Sequence, residues 1–427
     1  MRPPRLEVWL SGAHAGQLTY PADAAPTFTY DPTYCHTGRG VPLSVSMPLD
    51  QPTHTGPVVW NWFDNLLPDN DLVRTRWADQ LSTTTSPFDL LTHMGADCAG
   101  AVQVLPEGIS PDDAEDLEPV TEQEIGERIE RLHRDALAWE GSQPGRWSLG
   151  GFQSKFALAR TSEGGWAAPQ RRAPSTHIVK IGVAGLADSD IAEYATMRAG
   201  ALLGLPVPPT VLAQFAGHVA IVIERFDRTA RPDGRVQRWH QEDLCQVLGL
   251  GRTNKYEADG GPNLARTSAA IVHGVAPAGR AQARQDLAAV TAFNIVTAGL
   301  DAHAKNFALL HIGARPALAP FYDLTSTALL YPPSQVAYQG RYAMAIGGER
   351  QPHAIRPHHI DRAAADLQVT ATAFTAEIRR HVTEVPAAIV QAIDEAGPLI
   401  ASATAERLHA RITGWLNLLD TGLSPSR

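Results

Sequence analysis

Residues 299–310 read GLDAHAKNFALL, and this stretch decides the fold. Asp301 and Asn306 lie just before an apolar run. A hairpin-like segment, FALLHIGARPALAPFYDL (307–324), then delivers a second aspartate, Asp323. Two carboxylates and an amide at strand ends suit a divalent cation and a proton. Mg²⁺ takes a few oxygen ligands and keeps its other positions for water and phosphate. Asn306 and Asp323 would supply oxygens; Asp301, off the metal, would orient or deprotonate a hydroxyl. Asp-x4-Asn followed by an aspartate beyond a hairpin follows the logic of protein-kinase catalytic and metal-binding loops. By themselves the same residues also read as two turn aspartates and a capping asparagine. His303, between them, would position the loop.

Upstream, THIVKIG (176–182) ends an apolar strand on Lys180, and WSLGGFQSKFALAR (147–160) precedes it. A lysine so placed after a glycine-rich loop is suited to neutralising nucleotide phosphates. Glu193, in the next helix, would orient it by an ion pair. The loop is neither GxxxxGK[ST] nor GxGxxG. Gly150 and Gly151 let backbone N–H groups approach an anion, and Lys155 adds charge. VIERFDR (222–228) puts Glu224 and Phe226 at a lobe junction, where backbone would meet adenine and an apolar side chain would cover it.

The rest of the chain supplies the frame. LEVWL (6–10) and QLTYP (17–21) alternate as a hairpin, PLSVSMPL (42–49) is strand-like, and residues 60–81 turn helical. Residues 106–120, proline-rich and acidic, have linker composition. Thr121 and Glu124 form a capping box ahead of Ile125, Ile129 and Leu132 on one helical face. Asp190 would cap the helix at 189–205. From residue 240 the chain is mainly helical, including 240–250, 283–300, 361–382 and 386–420. The expected architecture is α+β and two-lobed, like a protein kinase. Residues 1–106 would form a small N-terminal subdomain, 107–226 an N-lobe and 227–427 a helical C-lobe.

The net charge is −9 and no basic stripe runs along the chain, which makes it a poor candidate for gripping nucleic acid by itself. No apolar run is long enough to span a membrane. The charged start reads as mature sequence. Three scattered cysteines, Cys35, Cys98 and Cys245, fit a reducing cytoplasm.

The ordered motifs FDNLLPD (63–69), FDLLTHMGADCAGAVQVLP (88–106), SLGGFQSKFAL (148–158), THIVKIG, VIERFDR, QEDLCQVLGL (241–250), KYEADGGP (255–262), DAHAKNF (301–307) and PFYDL (320–324) resemble the HipA family of bacterial serine/threonine kinase toxins. The resemblance implies ATP and Mg²⁺ as cofactors. It makes Asp301 the catalytic aspartate and Asn306 and Asp323 the metal ligands. Gly150, Gly151, Phe152, Gln153, Ser154, Lys155, Lys180, Glu224, Phe226, His303, Lys305 and Tyr322 would surround ATP. Ser148 would be an autophosphorylation site whose modification ejects the phosphate loop. The implied substrate is an aminoacyl-tRNA synthetase, and the implied partner a HipB-like helix-turn-helix antitoxin that carries the DNA contact. The family's loop more often reads Gly-Ala-Gln-Glu-Lys where this chain has GFQSK (151–155), so Phe152 and Ser154 depart from it. A corepressor of little activity, or a small-molecule kinase of similar plan, are the rival readings.

Overall fold

A computed structural model describes residues 5–21, 24–36, 41–111, 115–138, 147–151, 153–312 and 315–423; Phe152 lies outside them. The N-terminal part is a five-stranded antiparallel sheet, ordered Thr53–Thr55, Thr27–Tyr30, Ala13–Thr19, Leu6–Leu10 and Val102–Pro106. The expected hairpin is its centre. Its inner face buries Leu6, Val8, Phe28 and Tyr30 against the helices Pro57–Asp64, Asp71–Gln80 and Pro87–Met94.

A six-stranded sheet follows, ordered Thr210–Phe215, His218–Glu224, His177–Lys180, Lys155–Arg160, Trp166–Arg171 and Glu115–Val120. Side chains alternate across a strand with period two. Along His218–Glu224, Ala220 and Val222 therefore enter the core shared with the N-terminal sheet, while Ile221 and Ile223 enter the helical core. The helix Ser189–Leu202 packs on the second face. Behind it the long helices Arg280–Thr297, Ala371–Ala396 and Ser402–Leu423 bury Leu287, Phe293, Phe374, Ile389 and Trp415. The architecture is α+β and two-lobed, with a three-stranded sheet (His240–Asp243, Ala308–Ile312, Arg315–Leu318) at the seam.

Five local expectations need correction. Residues 42–49 form only an isolated Ser44–Met47 bridge. Their polar groups turn instead to the buried Glu242, which accepts from Ser44 Oγ at 2.5 Å and Val45 N at 3.1 Å. The supposed linker contains the edge strand Glu115–Val120; Pro119 is tolerated because an edge strand is paired on one side only. Residues 240–243 are a strand, and only Leu244–Val247 is helical, capped by Asp243. The helix after Lys180 is preceded by Asp188, in the left-handed region at φ 60°, with Asp190 inside its first turn. Ala371–Ala396 runs unbroken through Pro386: burial of Val385, Ala388 and Ile389 outweighs the lost backbone bond. By contrast, the capping box at Thr121 and Glu124 forms as read, and Ile125, Ile129 and Leu132 are buried.

Candidate active site

The helix Arg280–Thr297 ends on Ala298, whose left-handed backbone (φ 53°) turns the chain out into residues 299–306. This loop is held by its own groups. His303 N donates to the Asp301 carbonyl at 2.8 Å, and Asn306 Oδ1 accepts from His303 N at 3.1 Å. Asp301 is exposed at the loop's tip, while Asn306 is buried at its base. Asp323 follows the hairpin with φ 55°, a strained conformation of the kind concentrated at functional sites.

Lys180, at the end of its strand, donates to Glu193 Oε1 at 2.7 Å and also to Asp323 Oδ1. Burial disfavours the ammonium, but Asp323 and Glu193 outweigh it and raise the Lys180 pKa. Burial lifts the Glu193 carboxyl above its usual range. For Asp323 burial acts the same way but is overcome by Lys180 and Lys155, which lower its pKa, although 38% of the side chain opens into the cleft. Lys155 is pushed down to about 8, first by burial and then by the nearby Lys180 charge; its Nζ donates to the Gly150 carbonyl at 2.7 Å. Gly151 sits at φ +95°, and a Cβ there would lie 2.6 Å from Lys155 Nζ. Burial also lowers His303, which leaves it a neutral imidazole at pH 7.

Two cavities meet at this pair of lobes. One, of about 540 Å³, is lined by Asp301, Asn306, Glu193 and Gln153. The other, of about 140 Å³, is lined by Gly150, Glu224, Phe226, Lys305 and Tyr322. Gly151, Lys155, Lys180, His303 and Asp323 line both. The Tyr322 ring stacks on Phe226 with centroids 5.6 Å apart, and its hydroxyl donates to the Lys305 carbonyl at 2.7 Å. The segment bearing Glu224 is held rigidly. Arg225 and Arg228 fork onto Asp97, Asp227 and the Cys98 carbonyl, all buried.

The two serines of the glycine-rich loop line neither cavity. Ser154 turns away and donates to the Ala136 carbonyl at 2.7 Å. Ser148 is fully buried and donates to the Leu66 carbonyl at 2.7 Å; Trp147–Ser148 pairs in parallel with Asp97–Cys98. Lys305 does line the smaller cavity, but its ammonium is spent on Asn65 Oδ1 (2.8 Å), Asp243 (3.2 Å) and Asp69 (3.4 Å).

Sequence reasoning missed Asn65, Asp69, Asp243 and Tyr256. Asp69 is buried beside Lys305 and Lys255, and the two lysines hold its carboxyl well below the usual range against the effect of burial. Its backbone N–H donates to the Gly151 carbonyl at 3.0 Å, so the N-terminal part pins the phosphate-loop candidate. Tyr256 donates to Asp301 Oδ1 at 2.8 Å. The only signal for these residues was that FDNLLPD, QEDLCQVLGL and KYEADGGP are among the stretches that carry the family resemblance.

Sequence models of the HipA N-terminal domain and the HipA-like C-terminal domain match residues 6–105 and 147–393. The chain belongs to the HipA family. As an enzyme it is therefore a kinase of the HipA kind. The serine/threonine-protein kinase toxin HipA of Shewanella oneidensis is 30% identical over 410 residues, covering 92% of this chain and 90% of that one. The putative kinase Y4mE of Sinorhizobium fredii is 34% identical over 342 residues, 77% of this chain and 78% of that one. The HipA chain solved in the Shewanella oneidensis complex of HipA, HipB and operator DNA superposes with a TM-score of 0.81 at 26% identity, covering 97% of each chain. Among the described residues no helix is long and apolar enough to cross a membrane.

Proposed function

We propose that this HipA-family kinase transfers the γ-phosphate of ATP to a serine hydroxyl of a protein, an aminoacyl-tRNA synthetase, and so arrests translation and growth. The observation that carries the reading is Lys180 bridging Glu193 and Asp323 at the seam of two cavities. In this reading adenine fills the smaller cavity, against Glu224, Phe226 and Tyr322, and the phosphates lie under Gly150–Lys155 beside Lys180. The acceptor enters the larger cavity at Asp301.

The donor set fits Mg²⁺: Asn306 and Asp323 offer hard oxygens on one wall, and a partly open carboxylate can exchange its lysine contact for an ion. A bound Mg²⁺ would neutralise phosphate charge. The chain's residues do the rest. Lys180 and Lys155 hold the phosphates, Asp301 orients the acceptor hydroxyl and receives its proton, and neutral His303 keeps the loop in place. Phosphoryl transfer is thereby promoted by positioning and charge.

The partner in this reading is a HipB-like antitoxin that carries the DNA contact, which is supported by a solved Shewanella complex of HipA, HipB and operator DNA. The acidic charge and free cysteines support such a division of labour in a reducing cytoplasm. Autophosphorylation of Ser148 would switch the kinase off, since a charge of roughly −2 cannot remain in its buried place. Asp301→Asn should abolish label transfer from γ-labelled ATP and toxicity in cells while the melting temperature stays unchanged. Retained transfer would overturn the reading, and phosphoproteomics of the two strains identifies the acceptor.

A further inference from the structure

The segment Lys255–Pro262 is one of the stretches by which the chain resembles its family, yet the reaction as proposed gives it no task. Its construction is stiff. Gly261 N and Asp259 N both donate to the Tyr256 carbonyl, at 2.8 and 3.0 Å, and Asn254 Nδ2 closes on the Asp259 carbonyl at 2.7 Å. A Cβ at Gly261 would lie 2.4 Å from the Asn254 carbonyl oxygen, so only glycine fits. Glu257 accepts from Ala345 N at 2.7 Å. The bracket is fixed to the catalytic loop, because Ala304 N donates to the Lys255 carbonyl at 3.1 Å. It is also fixed to the N-terminal part, because Lys255 Nζ meets Asp69 at 2.9 Å.

From this support Tyr256 lays its ring edge-on to His303, with centroids 5.0 Å apart, and donates its hydroxyl to Asp301 Oδ1 at 2.8 Å. Among the described residues this is the one hydrogen bond to the Asp301 carboxylate. The carboxylate is otherwise exposed, and an exposed aspartate moves freely among rotamers.

We propose that Tyr256 is a positioning residue for phosphoryl transfer, holding Asp301 by one oxygen so that Oδ2 faces the acceptor. The inference rests on the kinase reading of Asp301. In the step, the acceptor oxygen bonds to the γ-phosphorus and the bond from that phosphorus to the leaving ADP oxygen breaks. The acceptor's proton passes to Oδ2, and Tyr256 keeps its own. The phenol lines the larger cavity and not the smaller one, so its loss acts on transfer and not on nucleotide affinity.

The test is Tyr256→Phe in the full chain, which keeps the ring against His303. Turnover with γ-labelled ATP and a soluble cell lysate as acceptor is measured for wild type and Tyr256→Phe, with Asp301→Asn as the inactive control. A hydrogen bond to a charged group sets the scale, so turnover should fall roughly ten- to a hundred-fold. KM for ATP, ATP affinity by calorimetry and melting temperature should stay as in the wild type. Two results overturn the proposal: unchanged turnover, or a loss that comes with weaker ATP binding and a lower melting temperature. A wild type that transfers no phosphate removes the kinase reading and this inference with it. An active wild type matched by Tyr256→Phe removes the inference alone.

Discussion

Lys180→Met separates the stability of this site from its chemistry. The Lys180 and Glu193 side chains are 5% and 3% exposed, so removing the lysine strands a buried carboxylate. Glu193 can escape by taking a proton, at about 1.36 kcal/mol for each pH unit above an ordinary glutamate pKa of about 4.3. That route caps Glu193's share of the loss at about 3.7 kcal/mol at pH 7 and about 1 kcal/mol at pH 5, while Asp323, 38% exposed, keeps access to water. The ceiling at pH 7 falls within the roughly 3–5 kcal/mol expected for breaking a buried ion pair. The sign is fixed by linkage. A carboxyl with a raised folded-state pKa holds a proton that the unfolded chain has lost, so stability falls as pH rises through that window. Urea unfolding at several pH values should therefore show a deficit for Lys180→Met that grows from pH 5 to 7. Lys180→Met/Glu193→Leu should recover most of it, because replacing both partners by apolar groups is often nearly neutral. Both variants should lack phosphoryl transfer. A deficit that does not vary with pH, or a double variant as unstable as the single, would refute the reasoning.

Other outcomes follow from the same geometry. Lys155, at about 8, loses its proton within the working range, so ATP affinity should weaken as pH rises through 8. Binding near that pH should take up a proton, seen by calorimetry in buffers of different ionisation enthalpy, and Lys155→Met should remove the uptake. Ser148→Ala leaves the Leu66 carbonyl without its partner and should cost about 1–3 kcal/mol in urea unfolding. Ser148→Asp should abolish ATP binding, because its charge cannot stay buried; undiminished binding would count against the switch. Asp97 is held well below its usual range by Arg228 and Arg225 despite burial. Its contribution is thus present above pH 4 and lost on acidification, and Asp97→Asn should flatten the acid limb of the stability profile.

What could be read from the sequence was mostly local. Asp301, Asn306 and Asp323 showed themselves through short spacing around a hairpin, and Lys180 with Glu193 through a strand followed by a helix. Ser148 and Ser154 were legible as loop residues, but not their direction, which is set by the carbonyls of Leu66 and Ala136. Asp69, Asp243 and Tyr256 left no periodic trace, since their partners come from distant parts of the chain. The strand at 240–243 was hidden for the same reason: its pairing depends on residues 308–311. The edge strand at 115–120 was masked by its acids and proline, which are affordable only where one side stays unpaired.

The strand His218–Glu224 gives this molecule a single cooperative unit out of two inherited segments. Its odd- and even-numbered side chains belong to different cores, so neither core is complete without the other. Phe156, Val179 and Val222 share their core with the N-terminal sheet and with Ile125, Ile129 and Leu132, none of which lies within 147–393. The piece 147–393 is thus a unit of descent and not a unit of folding. Expressed alone it should aggregate, and heat should melt the intact chain's two sheets together.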